Sequence, residues 1–427
     1  MKDYIVSMLI VFSLLASAVA SADARERAKR IHERLTGTVP TDAMLDRMET
    51  EVVGGDAVTA ALYAMDGAPA PSPVAANGHF YNVVVKNWAS PWTNEARDIT
   101  VPLNDYSATV IGIVRDSDSI DFREILYGDI IYKGNTGSVA GLNQAFSEDN
   151  NAHYEQLEEL AVNLGDDNVL VRSTQSSGSL PASAVAGVMT TRAAASAFFI
   201  DGTNRAMFRF TLLNHLCMDL EQLKDTSRPT DRIRQDVSRS PGLDSTLFLN
   251  QCVGCHSGMD PMAQAFAYYE YYPSMADRPD LTEDERRENG HLVYNNNGQV
   301  QNKYHINENN FKPGYITPND HWTNYWRLGD NSSRIGWMNP ATNSSSIDMA
   351  INPAYSEGDG AASMGQELAN SQAFAVCQVK KVFRAVCHRE PAEDDRTDFD
   401  DLVSDFLADY NMKMNFARVA ASCTQHL

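Results

Sequence analysis

The chain has 427 residues, with 35 Lys and Arg against 56 Asp and Glu, for a formal charge of −21. That balance argues against nucleic acid as a partner, because such binders gather Lys and Arg to neutralise phosphates; basic or neutral partners suit the surface better. With 43% hydrophobic and 21% charged residues the composition is that of an ordered globular protein, and the length predicts more than one domain, since single cores stop growing at roughly 250–300 residues.

From the N-terminus, Tyr4 to Leu15 is mostly apolar and Ala16 to Ala22 is a run of small residues with overlapping A-x-A signatures. Asp23, Arg25, Glu26 and Arg27 follow at once, and the apolar run is shorter than the roughly 20 residues that span a bilayer. This pattern predicts a secretory signal peptide over residues 1–22, cut near Ala20 or Ala22, and a periplasmic or secreted protein with no integral membrane span after cleavage. Residues 23–66 read as helices, with an amphipathic segment from Ala24 to Leu35 and a capped one from Thr41 to Glu51. Ala68 to Pro73 is a Pro-rich break. His79 to Val85 has strand character, while Asp105 to Val114 and Tyr154 to Leu164 return to helical spacing, and the Ser/Gly-rich Gln175 to Pro181 marks a boundary.

The next strong signal is Cys252-Val253-Gly254-Cys255-His256, a C-x-x-C-H sequence. Two thiols at this spacing reach the two vinyl-derived carbons of a porphyrin, and the adjoining imidazole then lies beneath the iron as proximal ligand. The rival readings are weaker: a structural zinc site wants a second short Cys/His pair, and a thioredoxin-like pair wants a strand-to-helix start in a βαβ unit. A plain Cys252–Cys255 disulfide is the remaining alternative, since an exported chain sits in an oxidising compartment. The predicted cofactor is one covalent haem c, on Cys252, Cys255 and His256.

After the motif, Ser257 to Pro261 reads as a turn, and Met262 to Tyr272 as a helix bearing Phe266, Tyr268, Tyr269, Tyr271 and Tyr272. Thr282-x-x-Glu285 is a capping box that opens a short helix. Asn296-Asn297-Gly298 predicts a hairpin between Tyr294 and Tyr304, and Ala362 to Thr424 is helical in three or four pieces. The fold class expected is mainly α with a minor β component. The domains expected are a mixed α/β N-terminal domain over residues 23–178, a cytochrome c-like haem-binding domain over 179–360 and a helical C-terminal module over 361–427.

The run from Cys252 through Asp260-Pro261, followed by Ala265-Phe266-Ala267-Tyr268-Tyr269, resembles the haem segment of the planctomycete-type cytochrome c domain proteins. Ala186 to Thr191, Asn204-Arg205 to Cys217, Ser363 to Cys377 and Val382-Phe383 to Pro391 are similar to other parts of that family, with Phe122 to Leu126 a fainter likeness. The resemblance spans about residues 180–427 and implies an exported, haem-bearing protein without fixing its substrate.

A sixth iron ligand separates an electron carrier from an open-site catalyst. Met338, on the Gly/Pro-marked loop Ile335-Gly336-Trp337-Met338-Asn339-Pro340, is the first candidate, with Met349, Met364 and His321 next and His305, on an expected strand, weaker. Met259 and Met262 lie too close to His256 to reach the opposite face. The remaining four cysteines allow three pairings, of which Cys377–Cys387 is disfavoured: ten residues along one helix separate them by about 15 Å. Cys387–Cys423 with Cys217–Cys377 is favoured, and Cys217–Cys387 with Cys377–Cys423 stands beside it. No G-x-S-x-G, H-E-x-x-H, Walker or G-x-G-x-x-G motif occurs. The acidic pairs Asp166-Asp167 and Asp394-Asp395 read as solvated faces, and His215 as a core residue.

The expected function is periplasmic electron transfer with a redox partner protein. The alternative is a haem-dependent peroxidase, oxidase or dehydrogenase subunit with an open iron, and a third reading is a secreted scaffold without haem.

Overall fold

A computed structural model describes residues 23–425 except 201, 275–279, 281, 296, 306–313 and 339–356. The expected signal segment and Met349 therefore lie outside the described residues.

The fold is predominantly helical with a minor strand component. The N-terminal helices are α1 (residues 23–36), α2 (Asp42–Val53) and α3 (Ala57–Asp66). Thr41 caps α2 through the Met44 amide and Asp56 caps α3 through the Thr59 amide, each satisfying an N–H that has no partner within the helix. A π-turn, Phe80–Val85, runs into α4 (Lys86–Ala89). The central helix α5 (Asp105–Arg115) is buried along its whole length and opens on a reciprocal Asn104–Ser107 capping box. Strand β1 (Ile131–Gly134) pairs antiparallel with β2 (Leu170–Ser173), Ile131 opposite Ser173, and α6 (Ala152–Glu159) lies between them in sequence. Next come α7 (Arg192–Phe198), α8 (Arg205–Thr211), α9 (Ser245–Leu247), α10 (Val253–Ala263) and α11 (Glu283–Glu288). Strand β3 (Tyr269–Pro273) pairs with β4 (Gly290–Tyr294), and β5 (His321–Thr323) with β6 (Glu357–Asp359). Helix α12 (Asp330–Ile335) precedes the last four, α13 (Gly360–Ala369), α14 (Gln372–Cys387), α15 (Arg396–Asp409) and α16 (Met412–Cys423).

The C-terminal helices are not an appendage. Helix α14 buries Ala373, Phe374, Cys377, Val379, Val382, Phe383 and Val386, a stripe at helical spacing, and α16 lies between it and α3. Lys413 of α16 donates to Asp66 at 2.9 Å, and Arg34 of α1 to the Val386 carbonyl at 2.9 Å. One apolar core consequently runs from Ala28 to Ala421 and takes side chains from each of the segments 23–178, 179–360 and 361–427. Among the described residues no helix is long and apolar enough to cross a membrane.

Several local expectations are corrected. Residues 80–85 are helical rather than extended: Phe80, Tyr81 and Val85 are buried, and Phe80 meets Phe416 edge-on at 5.2 Å, so tertiary packing overrides β-propensity. Ser257–Pro261 is the middle of α10 rather than a turn, with Pro261 inside the helix. The expected helix over 262–272 ends at Ala263; a single turn, Gln264–Phe266, follows, and Tyr269 to Tyr272 lie on β3. There burial alternates between Tyr269 and Tyr271 inside and the half-exposed Tyr272, the period of a strand. The partner of β4 is the earlier β3, not a segment after Gly298, and His305 sits in a short helical turn, Asn302–His305. The capping box at Thr282 and Glu285 is present as expected.

Candidate functional site

Helix α10 and the π-turn before it, Phe248–Cys252, carry Cys252, Cys255 and His256. Positions i, i+3 and i+4 of a helix share one face, so the two sulfurs and the imidazole line up along the same side. The opposite side is locked into the protein. A Cβ on Gly258 would lie 2.0 Å from Nε1 of Trp326, so only glycine lets that indole close on the helix. Met259 and Met262 are buried in the core, which removes both as ligands on the open face. The Asp225 amide donates to the Gly254 carbonyl at 2.9 Å, and the Ser257 hydroxyl to the Asp225 carbonyl at 3.2 Å.

Cys252 and Cys255 are free thiols of intermediate burial. Burial, then Glu221, pushes the Cys255 thiol above the usual range, so it is held protonated at neutral pH. The His256 imidazole, 21% exposed, places Nδ1 3.1 Å from Oδ1 of Asp260. A carboxylate there accepts the Nδ1 proton and fixes the tautomer whose Nε2 lone pair is free for a metal; Nε2 has no protein hydrogen-bond partner among the described residues. Asp260 is completely buried and is itself anchored. Arg205 Nε donates to its Oδ1 at 2.7 Å and Arg205 Nη2 to its Oδ2 at 3.0 Å, and the Arg234 amide donates to Oδ2 at 3.3 Å. The same Arg205 forks onto Asp236 at 2.6 and 2.9 Å. Burial alone would raise the Asp260 carboxyl; Arg205, His256 and Arg234 outweigh it and hold the group well below the usual carboxylate range. It therefore stands as an anion behind the imidazole near neutral pH.

The segment before Cys252 exposes leucines. Leu243, Leu247 and Leu249 are 97%, 41% and 58% exposed. A single exposed leucine needs no explanation; here three occur within seven residues of one another in the segment leading into Cys252, while Cys252 itself packs against Ile233, Val237, Phe248 and Val253. The donor set, two unpaired thiols and an imidazole with an unengaged Nε2, fits an iron-bearing macrocycle attached through thioethers.

The sixth-ligand candidates separate. Met338 is 1% exposed, its amide donating to the Asn370 carbonyl at 2.9 Å and its carbonyl accepting from Arg327 at 3.2 Å. His321 faces Asp359 at 2.9 Å and Glu357 at 3.7 Å, and Met364 is wholly buried on α13. The remaining cysteines are joined as Cys217–Cys377 and Cys387–Cys423, the favoured pairing. His215 is a core residue, its Nε2 3.0 Å from the Tyr106 hydroxyl.

The residues that sequence reading missed are Asp260, Arg205, Asp236 and Arg234 as a unit. One signal was present: Asp260 is four residues after His256, a helical neighbour, and it was obscured by reading the segment as a turn. Nothing in the sequence ties Arg205 or Asp236 to it.

Comparison with family models, with curated proteins and with solved structures finds no match for this chain.

Proposed function

We propose that this protein is an exported c-type cytochrome, with one haem covalently held by Cys252, Cys255 and His256, that exchanges electrons with a redox partner protein in the periplasm. The observation that carries the reading is the shared face of α10: two unpaired thiols beside an imidazole whose Nδ1 is held by a buried carboxylate and whose Nε2 is unengaged. Haem c, when bound, supplies a one-electron ferric/ferrous couple. Asp260 holds the His256 ring in one orientation and strengthens its donation, as outer-sphere carboxylates do for ligating histidines. The close packing of Trp326 on Gly258 keeps the helix that carries His256 from shifting.

A second reading, an oxidoreductase with an open iron, is favoured by two features. Met338 is fixed by its backbone in the packed core, and a carboxylate-backed imidazole favours the ferric state and its reaction with small oxidants over a high-potential carrier.

The experiment is expression in a host with c-type haem maturation, followed by haem staining on a denaturing gel and optical spectra of both oxidation states. Covalent haem with a low-spin ferric spectrum that cyanide leaves unchanged is the carrier. A high-spin spectrum that shifts with cyanide or peroxide is the open-site enzyme, and absence of covalent haem rejects both.

A further inference from the structure

Asp236 lies on the far side of Arg205 from Asp260, and two segments fix its place. Arg205 is the first residue of α8, and Asp236 sits in a turn just after Arg234. Arg239 holds that turn, its guanidinium donating to the carbonyls of Ile233, Arg234 and Val237 at 2.7, 3.1 and 2.6 Å. The Tyr315 amide donates to the Ile233 carbonyl at 2.9 Å as well. A turn pinned at so many backbone points delivers its carboxylate to one place.

The charges behind His256 balance only when Asp236 is counted. Two guanidinium groups face Asp260: Arg205, bonded at 2.7 and 3.0 Å, and the buried Arg234, 3.7 Å away. The ion pair with Asp260 is the only one Arg234 makes among the described residues; its Nη1 and Nη2 otherwise lie 3.4 Å from the Thr203 carbonyl. One anion against two cations would leave this wall net positive. Asp236 supplies the second anion through the same guanidinium, since Arg205 Nη2 is shared, 2.9 Å from Asp236 Oδ1 and 3.0 Å from Asp260 Oδ2. Burial alone would raise the Asp236 carboxyl, but Arg205 and then Arg234 outweigh it and lower it from its ordinary value. With half its fork committed to Asp236, Arg205 neutralises Asp260 incompletely. Asp260 Oδ1 therefore keeps acceptor strength for the His256 Nδ1–H at 3.1 Å, in a buried network whose members polarise one another.

We infer that Asp236 is a positioning residue for the His256 imidazole, acting through Arg205 and Asp260: it holds the ring in its Nδ1–H form and sets how strongly Nε2 donates to an iron. The iron half rests on the haem reading above; the tautomer half rests on the polypeptide alone. Outer partners of ligating histidines tune a metal in this way, and here the chain of partners is one link longer.

Two readouts on the full mature chain test it. In the apoprotein at about pH 8, above the usual histidine range, nitrogen NMR of the imidazole reports which atom carries the proton. The wild type should be the Nδ1–H tautomer. Asp236→Asn, which keeps the shape and removes the charge, should move the ratio several-fold toward Nε2–H, and Arg205→Lys, which keeps the charge and loses the fork, should do the same. The Asp236 side chain is 15% exposed, so its variant reads the relay even if Arg205→Lys fails to fold. In the haem-loaded protein, redox titration should show Asp236→Asn favouring ferrous iron several-fold, less than the about tenfold of Asp260→Asn. In the Asp260→Asn background its shift should be much smaller, because the route runs through Asp260. An unchanged tautomer ratio in Asp236→Asn, or equal redox shifts in the two backgrounds, overturns the inference; a merely structural Asp236 would lower the thermal transition and move neither readout. A tautomer shift in a chain that never attaches haem overturns the haem reading and supports the relay.

Discussion

Six cysteines sit in two settings, and the contrast shows what each region is for. Cys217, Cys377, Cys387 and Cys423 occur where helices distant in sequence cross, with Cα separations of 5.3 and 5.8 Å, distances that a disulfide requires. They fasten the core where α14 meets α16 and the segment after α8. Cys252 and Cys255 sit at the start of α10, unpaired and only partly buried, beside the His256 imidazole. In the first setting the sulfur chemistry is spent within the chain; in the second it is kept available.

The largest expected effect breaks this contrast outright. Replacing Cys252 and Cys255 together with Ala should abolish covalent haem on a denaturing gel while leaving the thermal transition of the apoprotein within a few degrees, because neither thiol is fully buried. A Cys217→Ala, Cys377→Ala pair should do the opposite, retaining haem and lowering unfolding free energy by about 2–5 kcal/mol.

Next is the buried pair Arg327–Glu367, both side chains 2% exposed and joined at 2.6 Å. Glu367→Ala leaves a guanidinium buried without its partner and should cost about 3–5 kcal/mol in denaturant unfolding. It would sharpen the comparison by destabilising the core under α10 without touching the thiols, so haem attachment per folded molecule should be unchanged.

Asp260→Asn keeps the shape behind His256 and removes the negative charge. If the anion favours ferric over ferrous iron tenfold, an order typical of outer-sphere partners, the reduction potential of the holoprotein should rise by about 59 mV, read by redox titration. An unchanged potential in a folded, haem-loaded variant would show that the Asp260–His256 contact does not reach the iron.

A smaller effect is set by pH. Burial would raise the Asp116 carboxyl, but hydrogen bonds from Arg115 and Tyr132 outweigh it and lower it from 3.8. A carboxylate with a depressed folded value stabilises fully above its unfolded value and loses that contribution as pH falls through the folded one. The stability gap between wild type and Asp116→Asn should therefore be constant near neutrality and shrink below about pH 4. Smallest is Thr282→Ala, which removes the α11 cap and should cost about 1 kcal/mol, on a helix far from both cysteine settings in sequence.

Legibility followed the range of the interactions. The four C-terminal helices, the caps at Thr41 and Thr282 and the core role of His215 were readable because each depends on neighbours a few residues away. Residues 80–85 and 269–272 were misread for the opposite reason: both are aromatic and β-branched or Tyr-rich runs whose period is ambiguous over so short a length. What decided them was the partner, Phe416 in one case and Gly290–Tyr294 in the other.

By itself the sequence singled out Cys252, Cys255 and His256 as one candidate set, through the C-x-x-C-H spacing; that the three lie along one helical face came from the structure. It also narrowed the disulfides to two alternatives, by the length of α14. Only the tertiary structure chose between those alternatives, put a buried Asp260 and its Arg205 clamp behind the imidazole, set Asp236 on the far side of that clamp and fixed Met338 in the core. The reason is physical: those groups are joined by burial and electrostatics between segments up to hundreds of residues apart, and no local pattern encodes which of many polar side chains will share one buried site.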